Sequence, residues 1–140
     1  MDVVSPEVRK HIMASVPQRH SKPEMVVRGM AHGLGYRYRL HRRDLPGSPD
    51  LVFPRLRKAI FVHGCFWHRH GCRLTTMPSS NRRFWENKFK HNQARDRRVC
   101  RQLRRRGWDV LVVWECQTRR PGWLLQRLES FLAATPGESK

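Results

Sequence analysis

The 140-residue sequence has few acidic residues, no long apolar run and no secretory leader pattern. No stretch approaches the ~20 apolar residues that a membrane-spanning helix requires. The opening MDVVSPEVRK lacks the charged-then-apolar order of a signal peptide. We therefore expect a cytoplasmic protein without membrane contact. Internal repeats and low-complexity segments are absent too, and the length suits one compact domain rather than two.

Cysteine is scarce, and the few cysteines do not suggest a disulfide scaffold. The four are Cys65, Cys72, Cys100 and Cys116. In the reducing cytoplasm such residues are usually free thiols or metal ligands. The sequence therefore predicts thiols or a metal site here.

Basic residues are abundant where acidic ones are scarce. The chain has 29 Lys and Arg against 11 Asp and Glu, a formal net charge of +18. The basic residues extend from Arg9 to Arg127 rather than forming one tail, so the positive field belongs to the folded body. Such an excess attracts polyanions, which makes nucleic acid the leading partner. The alternative is a basic surface with no specific partner.

The local patterns predict alternating helices and strands. Ser21 followed by Glu24 forms a capping-box pattern, which predicts a helix ending near Gly33 and Gly35. An earlier helix could begin at Ser5-Pro6 and extend to about position 16. Further predictions are strands at 36–40, 50–53 and 58–63, a hairpin turn at 54–57, a helix at 81–106 broken near 91–92, a buried central strand at 108–114 and a helix at 123–132.

This order of elements predicts an α/β fold with a mixed central sheet flanked by helices. We assign residues 1–20 to a basic N-terminal arm or helix, 21–134 to a single domain and 135–140 to a polar tail.

Sulfur and imidazole groups crowd one short stretch. Cys65, His70 and Cys72 lie within eight residues, and Cys116 follows the predicted strand at 108–114. Together they could supply one tetrahedral zinc site, and four protein ligands would make that zinc structural. The alternative is buried cysteines without a metal.

A turn delivers one carboxylate to the start of an apolar strand. The carboxylate of Asp50, after Gly47-Ser48-Pro49, is of the kind that Mg²⁺ prefers together with waters and phosphate oxygens. The alternative is that Asp50 only caps the turn. His63 and His68 fall outside the zinc set and could serve as general acid or base, or be supporting or surface residues. Glu24 could cap its helix and face this site at once.

Two aromatic pairs stand among basic or polar residues. Phe66-Trp67 lies in the cysteine-rich stretch, and Phe84-Trp85 lies beside Arg82, Arg83 and Lys88. Aromatic side chains in basic surroundings suit stacking on nucleobases or wedging between base steps. Core packing is the alternative, and we expect it for Trp108, Trp114 and Trp123.

These residues together resemble the very short patch repair endonucleases, which nick DNA at T·G mismatches arising from deamination of 5-methylcytosine. The matching motifs span about positions 13 to 116, in order. They are Lys22-Pro23-Glu24, the segment 36–41 (YRYRLH), 44–47 (DLPG), 49–54 (PDLVFP), 60–68, Met77-Pro78, Phe84-Trp85, Arg95-Asp96 and 107–116.

The resemblance implies a fold of the PD-(D/E)xK restriction-endonuclease type with a structural zinc. By position, Asp50 and the Val62 carbonyl would bind catalytic Mg²⁺. His68 would handle the proton of the attacking water, with Glu24 and His63 supporting. The zinc ligands that it implies are Cys65, His70, Cys72 and Cys116.

The resemblance also implies how DNA is held. Phe66, Trp67 and Trp85 would enter the duplex from the major groove beside the mismatch. Met13 would approach from the other side, and Lys88 and Asn92 would lie near the mismatched bases. It implies a monomer associated with the nucleoid, with T·G-mismatched double-stranded DNA as substrate and mismatch-repair proteins as candidate partners.

The sequence departs from these patterns at three places. The wider nuclease pattern has an acid and a lysine on the second strand, whereas Phe61-Val62-His63 carries neither, a departure that the mismatch-repair family shares. Met13 is followed by Ala14 instead of Arg, and Arg69 separates His68 from His70. Two other functions fit the same residues: a zinc-stabilised DNA-binding module without catalysis, and a restriction-type nuclease with another target.

Overall fold

The computed structural model describes residues 21–65, 70–71, 77 and 79–135. The predicted helix near positions 5–16, the N-terminal arm and most of the polar tail lie outside the described residues. The described elements are, in order, α1 (Lys22–Gly33), β1 (Arg39–Leu40), β2 (Leu51–Phe53), β3 (Lys58–His63), α2 (Arg82–Arg105), β4 (Asp109–Trp114), a 3₁₀ helix (Glu115–Arg119) and α3 (Pro121–Ala133). This order confirms the predicted mixed α/β fold.

The strands form one four-stranded mixed sheet in the order β1-β2-β3-β4. The β1–β2 and β2–β3 pairs are antiparallel, and β3 and β4 are parallel. The predicted hairpin between β2 and β3 is confirmed. Its turn is closed by the Leu56 N–H, which donates to the Phe53 carbonyl at 3.1 Å, and by Arg57, whose φ of 53° reverses the chain.

Helices cover both faces of the sheet. Leu51 and Phe53 of β2 pack with α1 and α3, whereas Val52 between them packs with Val99 and Leu103 of α2. This alternation follows from the two-residue period of a strand. The result is a three-layer arrangement with α1 and α3 on one side and α2 on the other. None of the described helices is both long enough and apolar enough to cross a membrane.

Two predictions about elements are wrong. α2 runs unbroken from position 82 to 105, because buried residues on both sides of positions 91–92, Phe89 before them and Val99 after them, hold the helix against the protein. β4 is an edge strand among the described strands, not a central one. Its apolar sequence resembles that of a central strand because Val110, Leu111 and Val113 are all buried between the two helical layers.

Lys58 is a buried cation that joins the sheet to the end of α3. Its side chain is fully buried, and its ammonium group donates to the carbonyls of Phe131 and Ala134, the latter at 2.7 Å. The ammonium also lies 5.0 Å from the centre of the Phe131 ring. Carbonyls in the last turn of a helix lack intrahelical partners, so a cation there satisfies them and favours the helix dipole.

We expect Lys58→Met to lower the free energy of unfolding by about 1–3 kcal/mol, because the substitution leaves buried carbonyls without a donor. Urea unfolding followed by circular dichroism measures the change. Lys90→Met is the matched control, since it makes the same change on the exposed face of α2. Equal stability of the two variants would contradict this account of Lys58.

Gly47 fixes the loop between β1 and β2 against α2. Its φ is +74°, and a Cβ at this position would clash with a methyl group of Val99 and stand 3.3 Å from the Phe61 ring. Glycine alone combines this left-handed backbone with such a close approach. The loop therefore lies tightly on the α2 face just before it delivers Asp50 to β2.

Gly47→Ala is expected to cost about 1–3 kcal/mol more than Gly35→Ala, which serves as its control. Both positions have positive φ, but no described atom lies within 4 Å of a Cβ at Gly35. Each alanine therefore introduces the left-handed strain, and only Gly47→Ala adds overpacking. Urea unfolding measures both, and equal losses would show that the contact with Val99 is unimportant.

Candidate active site and metal centres

Asp50 stands at the end of the sheet where β2 begins. Its carboxylate Oδ2 accepts a hydrogen bond of 2.7 Å from the backbone N–H of Val62. The antiparallel register, with Leu51 opposite Ile60, brings these two positions together. The structure thus brings the Asp50 carboxylate to the β3 backbone.

The Val62 carbonyl points to the same side of β3 as its N–H. Within a strand, the N–H and C=O of one residue project in the same direction, so that paired residues exchange both bonds. Since the N–H reaches Asp50, the carbonyl also faces the side on which β2 begins. The Val62 carbonyl oxygen and the Asp50 carboxylate therefore lie at the same end of the sheet.

Glu24 brings a second carboxylate to the cluster from the first turn of α1. The Ser21 hydroxyl accepts a hydrogen bond from the Glu24 N–H at 3.4 Å, which confirms Ser21 as the N-cap. The Glu24 side chain is only 1% exposed, and its carboxylate lies 3.5 Å from the Arg28 guanidinium and 3.0 Å from the His41 ring. A buried carboxylate needs such partners, because the loss of water otherwise penalises its charge.

His41 completes the cluster, although no pattern in the sequence had indicated a role for it. Its Nε2 lies 3.0 Å from Glu24 Oε1 and 3.9 Å from Asp50 Oδ1. Ligand atoms of Glu24, His41 and Asp50 all lie within 4.8 Å of one another, so the three residues could hold a metal ion. The available signal was the position of His41 at the end of the YRYRLH motif.

A second cluster joins the end of β3 to the 3₁₀ helix. His70 Nδ1 lies 3.6 Å from Cys65 Sγ and 3.4 Å from Cys116 Sγ. Zinc bonds of about 2.3 Å to sulfur and about 2.0 Å to nitrogen place the corners of a tetrahedral site about 3.5 Å apart. The spacing of these three residues therefore fits a tetrahedral metal, and thiolate with imidazole is the donor set that zinc prefers.

Neighbouring groups hold this second cluster in place. The His70 ring stacks on Trp114, with centroids 4.4 Å apart and planes inclined by 11°. The Cys65 N–H donates to the Glu115 carboxylate at 3.4 Å, and the Cys116 N–H donates to the Cys65 sulfur at 3.4 Å. The segments that follow β3 and β4 thus hold the two cysteines in place.

His63 lies on the α2 face of the sheet. Its ring is buried, 5.6 Å from the Phe61 ring and 5.3 Å from the Trp114 ring. It lines a cavity of about 450 Å³ whose other walls include His70 and three arginines of α2, Arg97, Arg101 and Arg104. The cavity therefore combines imidazole and guanidinium groups beside the cysteine cluster.

The positive charge is densest along α2. Eleven Lys or Arg residues and only two acids lie between positions 82 and 106. The fourth cysteine, Cys100, is a half-buried residue of this helix, and burial raises the pKa of its thiol. Cys100 does not belong to the described Cys65–His70–Cys116 group.

The predicted DNA contacts on α2 differ in exposure. Trp85 is only 5% exposed and packs on Phe89, whereas the neighbouring Phe84 is 59% exposed and meets Trp85 edge to face at 5.2 Å. Lys88 is exposed and Asn92 is half-buried. The free protein therefore presents Phe84 to solvent and keeps Trp85 in the core.

Several predicted site residues lie outside the described residues. They are Met13, Phe66, Trp67, His68 and Cys72. Their roles stay predictions.

Comparison with known proteins gives a family match and several similar proteins. Residues 1–74 match the family model described as DNA mismatch endonuclease Vsr. The chain is 48% identical to the type II nicking enzyme V.XorIIP of Xanthomonas oryzae over 131 residues, which cover 94% of this chain and 96% of that protein. It is 34% identical to the type II nicking enzyme V.NmeAIP of Neisseria meningitidis, covering 94% of each chain.

The chain is also 39% identical to the DNA mismatch endonuclease Vsr of Escherichia coli over 118 residues, which cover 84% of this chain and 76% of that protein. The matches extend over nearly the whole described domain, including both clusters. The chain therefore belongs to the family of the DNA mismatch endonuclease Vsr and is an endonuclease that acts on DNA.

Proposed function

We propose that this endonuclease nicks double-stranded DNA on the 5′ side of the T in a T·G mismatch, in the presence of Mg²⁺, and so starts very short patch repair. Water oxygen would attack phosphorus as the bond to the 3′ oxygen breaks, leaving a 3′-hydroxyl and a 5′-phosphate. The observation that carries the proposal is the cluster of Asp50, Glu24 and the Val62 backbone at one end of the sheet. We expect the fold to be of the PD-(D/E)xK type.

The residues at this end of the sheet suit a magnesium ion. Carboxylate and carbonyl oxygens are the ligands that Mg²⁺ prefers, and Asp50 with the Val62 carbonyl would hold it. When bound, the ion would neutralise charge on the phosphate and activate the attacking water. Glu24 and His63 would support the site, and His68 would take the proton of the water.

Cys65, His70, Cys72 and Cys116 would hold a structural zinc. The three described members have tetrahedral spacing, and Cys72 would be the fourth ligand. Such an ion would fix the start of the 66–69 segment, where Phe66 and Trp67 are proposed to wedge into the duplex. Structural rigidity matters there, because unstacking a base step costs a few kcal/mol that the wedge must offset.

Further DNA contacts belong to the same proposal. Trp85 would join the wedge, Lys88 and Asn92 would lie near the mismatched bases, and Met13 in the 1–20 arm would approach from the other side. Because Trp85 is buried in the free protein, its entry into DNA requires α2 or its neighbours to shift on binding. The protein would act as a cytoplasmic monomer, with residues 21–134 as the nuclease domain and 135–140 as a tail.

A restriction-type target is the second candidate. Two of the similar proteins are named type II nicking enzymes, and the chemistry at Asp50 would serve either target. A DNA-binding module without catalysis would leave the carboxylate cluster unused and disagrees with membership of an endonuclease family.

We expect Asp50→Asn to reduce nicking of a T·G duplex with Mg²⁺ by about 10³-fold, equivalent to about 4 kcal/mol, because the amide removes the charged metal ligand. Single-turnover cleavage of a labelled duplex measures the rate. Asp109→Asn is the control, since it makes the same change at the opposite end of the sheet. Equal rates for wild type and Asp50→Asn would remove Asp50 from the active site.

The same assay distinguishes the two targets. Duplexes with T·G, T·A and G·C pairs in one sequence context, and T·G duplexes with randomised flanks, are compared with wild-type enzyme. Cleavage confined to T·G supports mismatch repair. Cleavage of T·A or G·C at a similar rate would favour the restriction-type target.

For the zinc site, we expect about one zinc per chain, lost in Cys116→Ser together with the cooperative unfolding transition. Elemental analysis and thermal unfolding provide the measurements. Cys100→Ser should keep its zinc, because Cys100 does not belong to the cluster. Stable wild-type protein without zinc would contradict the assignment.

A further inference from the structure

The His41 ring lies between two carboxylates that come from different elements. Its Nε2 is 3.0 Å from Glu24 of α1 and 3.9 Å from Asp50 of β2. The His41 side chain is 9% exposed, that of Glu24 is 1% exposed and that of Asp50 is 21% exposed. The imidazole therefore lies inside the cluster, and the side of the cluster formed by Asp50 is the more exposed to solvent.

The backbone at His41 is strained in a way that serves this position. Its φ of 50° lies in the left-handed region, which is unfavourable for a residue with a side chain. The His41 N–H donates to the Asp50 carbonyl at 3.2 Å, which continues the β1–β2 pairing by one residue. Strain of this kind persists where surrounding structure holds it, and it is common at functional sites.

The hydrogen bond to Glu24 shows what the ring does. An ionised carboxylate can only accept hydrogen bonds, so the tautomer of His41 that pairs with such a carboxylate carries its proton on Nε2 and donates from there. Arg28 lies against the other oxygen of Glu24. The Glu24 carboxylate is thus held from two sides. The His41 ring lies between the carboxylates of Glu24 and Asp50, which would repel each other without a donor there.

We propose that His41 is a positioning residue of the endonuclease site, which fixes the Glu24 carboxylate in the orientation that it shares with Asp50. This inference rests on the proposed function, because the shared task of the two carboxylates is to serve the metal and the phosphate. His41 acts through Glu24: its donating nitrogen is engaged there, and the 3.9 Å to Asp50 exceeds a hydrogen bond. Partners of this kind typically change metal affinity by 10–100-fold in other metal sites.

The test compares His41→Leu, which removes the donor, with His41→Gln, whose amide N–H can replace it. The first readout is Mn²⁺ binding by calorimetry without DNA, and the second is kcat and KM for nicking a T·G duplex. We expect His41→Leu to weaken Mn²⁺ binding and lower kcat by about tenfold or more, with KM within about twofold. His41→Gln should recover most of both losses, and His32→Leu, an exposed histidine of α1, should match wild type.

A double-mutant cycle separates positioning from general damage to the fold. If His41 acts through Glu24, His41→Leu should have little further effect on Mn²⁺ affinity in a Glu24→Gln background. Additive losses would overturn the proposal. So would wild-type behaviour of His41→Leu, or a His41→Gln variant as impaired as His41→Leu, which would make the imidazole itself the required group.

The outcomes distinguish this inference from the proposed function. Wild-type enzyme that binds Mn²⁺ but does not nick T·G duplexes would overturn the mismatch target, and the binding cycle would still test His41. Wild-type enzyme that nicks T·G duplexes while the His41 variants show no change would overturn the role of His41 alone. Urea unfolding of each variant shows whether the fold is intact, and His41→Gln tests the proposal even if His41→Leu does not fold.

Discussion

Strands β3 and β4 run parallel over six residue pairs, from Lys58 opposite Asp109 to His63 opposite Trp114. Parallel strands end at the same edge of a sheet, so the residues that follow them meet there. Cys65 lies two residues beyond His63, and Cys116 lies two residues beyond Trp114. A single pairing register therefore brings together two cysteines that are 51 positions apart, and a shift of one residue would turn the strands' side chains to the opposite faces.

The same stretch of β3 also serves the carboxylate cluster. Val62 reaches sideways to Asp50 through its backbone, while the chain continues directly to Cys65 and the second cluster. Backbone groups lie in the plane of the sheet, and side chains project from it. The end of β3 can therefore contact Asp50 through its backbone and also lead into the cysteine cluster. The side chain of His63 points to the opposite face from that of Val62, where it contacts Trp114 and faces α2. The two clusters are adjacent because they share these few residues.

Much of this arrangement could be predicted from the sequence, but the role of His41 and the unbroken course of α2 could not. Ser21 as a cap and the β2–β3 hairpin follow from local patterns, and the grouping of Cys65 and His70 with the distant Cys116 follows from the donor set that zinc prefers; all are present. His41 was not assigned because its role depends on a positive φ after a two-residue strand, which no local pattern predicts. The predicted break in α2 rests on the polar residues at 91–92, but the burial of Phe89 before them and of Val99 after them outweighs that preference.

Exposure on α2 could not be derived from composition either. In the sequence Phe84-Trp85 is one aromatic pair, but adjacent helical residues point about 100° apart, so one of them can be buried while the other is exposed. Trp85 is buried and contacts Phe89 four residues later, and Phe84 is exposed to solvent.

The carboxylate cluster stands out because the chain has few acidic residues. In a chain with 29 basic and 11 acidic residues, most of the surface attracts phosphate without distinguishing one DNA sequence from another. Glu24 and Asp50 instead converge within a few ångströms of each other, and the burial of Glu24 would be unfavourable without Arg28 and His41. Two buried or half-buried acids that need such compensation add little stability, since an apolar pair would pack there without partners. The arrangement of the cluster therefore supports the proposal that a cation binds here between the protein and DNA.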